Sequence, residues 1–466
     1  MRYNKLNNKY IYADILSAVL VWVLFIVFRK AINDISIVNN IEFFVVKPKY
    51  YLTFLFFPFV ALFVHYITGF YIKIDKLTKL TTILSTFLSA LLIAAIVFFL
   101  FMIDDIKVSN SYYYISLSTL FLLFFSVTLT SRLFVLNDIA KRYRSKKWSI
   151  NTVIIGTGTN AARIAEVLKK SERHVLNGFI QVDNPNTQIP KEQILGSFSQ
   201  VENIIHNQEV EEAIIALDNP DELKLFGYIN TLYKYNIELR FTPRLYEILT
   251  GSARIGAAGM QPLVSLTDIH MPNWQIAVKR IFDITFSFAM LILLFPIFIY
   301  FAIAIKIDSK GPVFYRQERI GRFGKSFNIL KFRTMYVNAE NGTPKLSSVD
   351  DDRITSIGRI LRKYRIDELP QFWNILKGEM SIVGPRPERK FYINQIIEQA
   401  PYYCLLYKIR PGLTSWGPIK IGYSDTIEKM VERLNYDIIY MEDMSLLNDL
   451  RILILTLEIL FKGKGV

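Results

Sequence analysis

The stretch Arg365-Ile366-Asp367-Glu368-Leu369-Pro370-Gln371-Phe372-Trp373 sets two carboxylates side by side. Leu369, Phe372, Trp373 and Leu376 recur at i, i+3, i+4 and i+7, the buried stripe of a helix. Pro370 is tolerated only in a first turn, so the spacing predicts a helix beginning near Asp367. At that end, unpaired N–H groups and the helix dipole favour a carboxylate and an incoming phosphate alike. Adjacent Asp and Glu there suit a nucleophile or base beside a metal ligand. They also suit a plain cap, with Asp367 capping and Glu368 favouring the dipole.

The neighbouring segments are cationic and stiffened by glycine and proline. Tyr315-Arg316-Gln317-Glu318-Arg319-Ile320-Gly321-Arg322 and Lys331-Phe332-Arg333-Thr334-Met335 lie upstream. Ser381-Ile382-Val383-Gly384-Pro385-Arg386-Pro387-Glu388 lies downstream. Proline-fixed φ angles lower the entropy of holding Arg386 in place, and its guanidinium fork matches phosphate oxygens. Scattered charges usually mean a solvated face. Cations in rigid loops near a carboxylate pair suggest a site that handles phosphate.

The first elements that must carry these residues are apolar. Hydrophobic residues make up 52% and mean hydropathy is +0.26, which excludes disorder and points to a membrane protein. Four apolar stretches, Ala13–Phe28, Tyr50–Tyr71, Thr81–Met102 and Ser111–Phe134, each approach the ~20 residues that span a bilayer. Lys73, Lys76 and Lys79 follow the second, and Arg132, Lys141, Arg142, Arg144, Lys146 and Lys147 follow the fourth. Positive-inside bias then puts the N-terminus, the second loop and everything after Arg132 in the cytoplasm. His65 reads as the ionisable group deep in a span, packed and neutral. The chain has 55 Lys+Arg against 41 Asp+Glu, a net +14 that requires a negative partner. Basic residues beside apolar runs fit lipid phosphate better than nucleic acid, so no nucleic-acid partner is expected. A single cysteine, Cys404, excludes an internal disulfide.

Strands at Val153–Ile155, Gly178–Val182, Ala213–Ala216 and Ile237–Phe241 alternate with helical patterns, which implies a parallel, doubly wound sheet. Gly156 and Gly158 in its first turn let a backbone approach a pyrophosphate, with Asp183 as a ribose acceptor, or only allow tight strand–helix packing. Another apolar run, Ile284–Ile305, is long enough to span. Both its flanks are basic and Pro296 lies near its middle, so a re-entrant helix over 282–306 is expected. The last apolar helix, Ile452–Phe461, is too short to cross and is expected against its domain or on the membrane surface.

These motifs carry a resemblance. Lys279-Arg280-Ile281-Phe282-Asp283, Gly311-Pro312-Val313-Phe314-Tyr315-Arg316-Gln317, Lys331-Phe332-Arg333-Thr334-Met335, Asp352-Arg353-Ile354-Thr355, Asp367-Glu368-Leu369-Pro370-Gln371 and Gly384-Pro385-Arg386-Pro387 occur in one order. The chain resembles the bacterial polyprenyl-phosphate sugar-phosphate transferases, the monotopic phosphoglycosyl transferases, in their long form. The resemblance implies a multi-domain membrane protein. Residues 1–136 form a four-helix transmembrane bundle and 148–250 a Rossmann-like α/β domain. Residues 275–466 form a mainly helical α+β catalytic domain with the re-entrant helix. It implies that Asp367 attacks the β-phosphate of a UDP-sugar, releasing UMP, and that polyprenyl (undecaprenyl) phosphate then takes the sugar phosphate. Glu368 would help bind Mg²⁺, and Lys331, Arg333, Arg362 and Arg386 are the phosphate-binding candidates by their place in the motifs. The inner membrane, soluble domains facing the cytoplasm, and a homodimer follow by analogy. In one departure, Ser415-Trp416-Gly417-Pro418-Ile419-Lys420 replaces the family's usual Gly and later Gln after Arg410-Pro411-Gly412-Leu413-Thr414. The competing expectation is a membrane-tethered, NAD-dependent nucleotide-sugar dehydratase or epimerase. Its Tyr-x-x-x-Lys pair, Tyr143 and Lys147, precedes the glycine turn here rather than following it.

Overall fold

The computed structural model describes residues 2–33, 48–104, 110–182, 187–218, 221–235, 237–242, 264–266, 269, 271–337, 339, 351–422 and 426–461. The chain divides into two compact units. One comprises Met1–Lys147 with Pro272–Lys279, the other Trp148–Met271 with Arg280–Val466.

The first unit is built from helices α1 (Arg2–Asn33), α2 (Pro48–Ile67), α3 (Lys79–Asp104) and α4 (Asn110–Arg144). Three of them are long and apolar enough to cross a membrane, over Leu6–Phe28, Lys79–Leu100 and Tyr114–Arg144. The described apolar part of α2, Thr53–Ile67, is shorter than a span. Small residues at Ala18, Ala61 and Ala90 let the backbones approach, and Trp22 stacks on Phe57 with ring centroids 4.4 Å apart. The outward faces stay apolar, with Leu16, Leu55, Phe59, Leu88 and Phe99 exposed, a surface suited to lipid.

Inside this unit the sequence reading needs correcting. Arg132, counted above as a loop cation, lies within α4, and Asp14 sits inside the first apolar stretch. Both side chains are 0% exposed. Arg132 donates from Nε to Asp14 Oδ1 and from Nη2 to Asp14 Oδ2, each at 2.8 Å. Its Nη1 donates to Thr86 Oγ1 at 2.9 Å, Tyr71 donates to Asp14 Oδ2 at 2.6 Å, and the guanidinium lies 3.5 Å from the Phe70 ring centroid. His65 is also fully buried, but among the described residues it shares this interior with the charged pair Asp14 and Arg132.

The second unit contains a six-stranded sheet ordered β3-β2-β1-β4-β5-β6. The four expected strands are β1 (Ile150–Ile155), β2 (His174–Gln181), β4 (Glu212–Ile215) and β5 (Glu238–Phe241), all parallel. Parallel β3 (Ile194–Ser197) and antiparallel β6 (Val264–Ser265) extend it beyond the sequence reading. Helices α5 (Thr159–Lys169), α6 (Val201–Asn207) and α7 (Glu222–Leu232) connect the strands. Along β1, Val153 and Ile155 enter one core and Ile154 the other, the period-two pattern of a strand covered on both faces.

From Arg280 on, this unit continues with the rest of α8 (Asn273–Leu293) and α9 (Phe295–Asp308), bent by 60° at Leu294. Pro296 stands in the first turn of α9, where its missing N–H removes nothing. A hairpin of β7 (Phe314–Ile320) and β8 (Ser326–Phe332) follows, then α10 (Ser356–Lys363). The helix expected from Asp367 is instead a 3-10 turn over Ile366–Gln371 running into a short α11 (Phe372–Lys377). Arg365 precedes it with φ +54°, the tighter turn shifts the buried face, and Trp373 is 50% exposed while Phe372 and Ile375 are buried. Parallel strands β9 (Ser381–Val383) and β10 (Gly412–Thr414) come next, separated by α12 (Lys390–Gln399) and a 3-10 segment at Pro401–Lys408. Helices α13 (Trp416–Ile421), α14 (Ile427–Glu442) and α15 (Leu446–Phe461) finish the described chain. Ile452 of α15 is buried in the core, whereas Leu447, Leu450, Ile454 and Leu457 form an exposed apolar stripe.

The Arg132–Asp14 pair generates a stability prediction. Arg132→Met alone leaves a buried carboxylate without its partner and is expected to cost about 3–5 kcal/mol. The double change with Asp14→Leu is expected to recover most of that loss. Thermal unfolding of the detergent-solubilised chain measures both; a single variant as stable as the parent defeats the idea.

Candidate active site

Asp367 and Glu368 lie in the 3-10 turn, only 8% and 7% exposed. Two cations from distant elements meet one oxygen of the pair. Lys331 of β8 donates from Nζ to Glu368 Oε1 at 2.9 Å, and Arg386, after β9, donates from Nη2 to the same oxygen at 3.0 Å. Burial pushes the Glu368 carboxyl up, but Lys331 and Arg386 outweigh it and hold it far below the usual carboxylate range. At Asp367, burial wins: with the Glu368 charge beside it, the carboxyl is raised despite Lys331, Arg362 and Arg386. Neighbouring acids are thereby driven apart.

Side chains with no chemistry of their own fix this arrangement. Asn374 of α11 accepts from the Leu330 N–H at 3.0 Å and donates to Asn328 O at 2.8 Å, tying the dyad's helix to the Lys331 strand. Arg280 closes the far end of α11 by donating to Ile375 O at 2.8 Å and Leu376 O at 3.0 Å. Asp283 accepts the Ile382 N–H at 2.9 Å and so anchors β9 to α8. The β9 and β10 backbones touch at Gly384 and Gly412, where any Cβ would strike the opposite chain. That contact, with Gly412 N donating to Pro385 O at 2.9 Å, seats the loop bearing Arg386.

Asp367, Glu368, Lys331 and Arg386 line a cavity of about 580 Å³, together with Tyr315, Arg333, Arg362 and Met430. Arg362 donates from Nε to Thr334 Oγ1 at 3.0 Å. Arg333 reaches the cavity wall, yet its guanidinium donates to Ser309 O at 2.7 Å and Lys310 O at 2.9 Å, where α9 ends. Its geometry fits seating the bent helix pair better than gripping a phosphate. Among the described residues no three His, Cys, Asp or Glu side chains come together. Mg²⁺ needs fewer: one or two carboxylates suffice when substrate phosphates and waters complete its shell. With Glu368 Oε1 held by two cations, Glu368 Oε2 and Asp367 form a donor set that fits it.

Gly156 and Gly158 lie elsewhere, and the anion position they frame is filled from within. Asp218 accepts from the Thr159 N–H at 2.9 Å, the Thr159 hydroxyl at 2.8 Å and the Asn160 N–H at 2.8 Å. A Cβ at Gly158 would strike that carboxylate. The glycine gives Asp218 room to approach, as close packing at that turn requires; Asp183 lies outside the described residues. Sequence reasoning also missed Asn374 and Arg433, whose one signal is a polar group on an otherwise apolar helix face.

Residues 274–463 match the family described as bacterial sugar transferase, and residues 67–243 that described as CoA-binding domain. An uncharacterized sugar transferase of Haemophilus influenzae is 30% identical over 338 residues, covering 68% of this chain and 70% of that one. The chain belongs to the bacterial sugar transferase family. This bacterial sugar transferase is also 34% identical over 270 residues to the UDP-glucose:undecaprenyl-phosphate glucose-1-phosphate transferase of Klebsiella pneumoniae (58% of this chain, 57% of that one). It is 34% identical over 222 residues to the UDP-N-acetylgalactosamine-undecaprenyl-phosphate N-acetylgalactosaminephosphotransferase of Aeromonas hydrophila (48% and 52%). The transferase thus spans about half the length of these two curated relatives.

Because Asp218 acts as a cap for α5, Asp218→Ala is expected to destabilise the sheet region by about 1 kcal/mol. Hydrogen exchange at Thr159 and Asn160 should rise in the variant. Unchanged protection would show that the carboxylate is not holding those amides.

Proposed function

We propose that this bacterial sugar transferase moves a sugar 1-phosphate from a UDP-sugar to a polyprenyl phosphate, undecaprenyl phosphate by analogy, and releases UMP. The observation that carries the reading is the convergence of Lys331 and Arg386 on Glu368 Oε1 beside a buried Asp367. Asp367, its basicity raised, supplies the nucleophile: a carboxylate oxygen bonds to the β-phosphorus, the bond to the bridging oxygen breaks, and UMP leaves with that electron pair. The aspartyl phosphate is then attacked at phosphorus by an oxygen of the polyprenyl phosphate, which restores the Asp367 carboxylate. Lys331, Arg362 and Arg386 bind and neutralise the phosphates, and Arg333 positions the wall. Glu368 with Asp367 would hold Mg²⁺, which would supply further neutralisation of the diphosphate.

The proposal includes a topology and a division of labour. Residues 1–136 form a four-helix transmembrane bundle in the inner membrane, 148–250 a Rossmann-like domain, and 275–466 the catalytic domain. The soluble parts face the cytoplasm, where UDP-sugars are found, and the chain works as a homodimer in contact with membrane lipid. The bent pair α8–α9 enters and leaves on one side. Its 60° bend and the basic flanks Lys279 and Arg280, then Lys306, Lys310, Arg316 and Arg319, support this. The donor and acceptor classes come from the relatives' names, and two different sugars among them leave the sugar open.

Release of UMP from a panel of UDP-sugars with undecaprenyl phosphate tests the reaction. Asp367→Asn is expected to abolish it while the protein stays folded, since the amide fills the same space; substantial turnover would sink the covalent route. The topology is tested by a cysteine at Ser309 on a Cys404→Ser background. Labelling of intact cells by an impermeant reagent is expected to fail, and labelling from outside would mean that the helix crosses.

A further inference from the structure

Arg365 stands where one helix closes and the acid pair begins. Helix α10 ends at Lys363, and Arg365 then takes the left-handed conformation, φ +54° and ψ +24°, with its N–H donating to Arg362 O at 3.1 Å. Glycine or asparagine ordinarily fills such a closing position, because a Cβ is crowded there. The chain follows that rule after α11, where Gly378 turns the backbone with φ +85°. At 365 it keeps a long cationic side chain instead, and the Glu368 N–H donates to Arg365 O at 3.2 Å. Strain of this kind gathers at functional sites.

Arg365 lines the same cavity as the dyad. Other cations on that wall are already engaged: Lys331 and Arg386 with Glu368, Arg362 with Thr334, Arg333 with the carbonyls that end α9, Arg319 and Arg433 with Glu388. Among the described residues, none pairs with the Arg365 guanidinium or accepts a hydrogen bond from it. The next residue, Ile366, packs against the buried cluster of Ile305, Phe332 and Leu361, as do Phe298 and Phe301 of α9. Phe314 and Phe332, stacked with ring centroids 5.4 Å apart, also line the cavity. An apolar wall beside the bent helix pair suits a phosphate carried on a hydrocarbon chain. We propose that Arg365 binds the phosphate of the lipid acceptor, offering an unspent guanidinium fork to it in the second half of the transfer. The inference rests on the proposed function and deepens it by separating an acceptor contact from the cations that serve the dyad.

The two half-reactions tell acceptor from donor. With a covalent intermediate, kcat/KM for the UDP-sugar reports UMP release, and kcat/KM for undecaprenyl phosphate reports attack on the aspartyl phosphate. Arg365→Gly suits the test because it removes the guanidinium and leaves a residue at ease in the same backbone conformation. The full chain is assayed with the donor that the UDP-sugar panel identifies, and thermal unfolding corrects for folded fraction. Arg365→Gly is expected to lower kcat/KM for undecaprenyl phosphate by about tenfold, to change that for the UDP-sugar by less than about twofold, and to unfold at no lower temperature. Arg365→Asn, which also tolerates the conformation, is expected to behave alike, and decides alone if the Gly variant fails to fold. Undiminished kcat/KM for undecaprenyl phosphate would overturn the inference. So would equal losses for both substrates, which would assign the guanidinium to the donor or the dyad. Either result leaves the proposed reaction standing. A wild-type chain that releases no UMP would overturn the reaction and this inference with it.

Discussion

Two cations share one carboxylate oxygen at Glu368, and much of the second unit can be read as the means of bringing them there. Lys331 arrives on a hairpin strand and Arg386 on a loop after β9, more than fifty residues apart in the chain. Neither position is set by a neighbour in sequence. Asn374 fixes the strand against the dyad's helix, and the Gly384–Gly412 contact fixes the loop. The result is an electrostatic asymmetry: Glu368 stays ionised under two positive charges, while its neighbour Asp367 bears the cost of burial. One acid is suited to hold charge and the other to form a bond.

The same economy explains the cationic motifs. Arg280, Arg333 and Arg410 lie in or beside the basic segments, yet each donates to backbone carbonyls where a helix ends: Arg280 to Ile375 and Leu376, Arg333 to Ser309 and Lys310, Arg410 to Gly378 at 2.9 Å. A guanidinium offers five donors in a plane, which suits a cluster of orphan carbonyls as well as it suits phosphate. Basic residues near an anion site therefore divide into those that touch the anion and those that hold the ones that do.

This division marks what was legible in the sequence. Asp367, Glu368, Lys331 and Arg386 are legible because they stand in compact motifs with glycine and proline, and the four central strands because their apolar runs are short and bounded. Arg333 is not, since residue type alone does not say whether carbonyls or phosphate fill its fork. The helix stripe through Trp373 fails because the i, i+3, i+4 pattern assumes α-geometry, and Arg365 and Pro370 impose a 3-10 turn first. Gly158 is ambiguous in sequence for a tertiary reason: the group that approaches its missing Cβ is Asp218, sixty residues on. Asn374 shows in the sequence only as a polar group on an apolar helix face, because its main-chain partners, Leu330 and Asn328, are brought near by the fold alone.

The buried pair in the first unit carries a consequence for how the chain is made. Asp14 and Arg132 are 118 residues apart, on the first and fourth helices. At about 5–20 residues per second, translation leaves Asp14 without its counter-ion for roughly ten seconds. In the membrane-spanning arrangement proposed above, a lone carboxylate on α1 would be poorly tolerated in hydrocarbon for any such interval. The first helix would then wait where its carboxylate keeps water or a borrowed partner, and would reach its final depth only when α4 arrives. Biogenesis of this unit is in that sense a closing step, with the last helix in admitting the first.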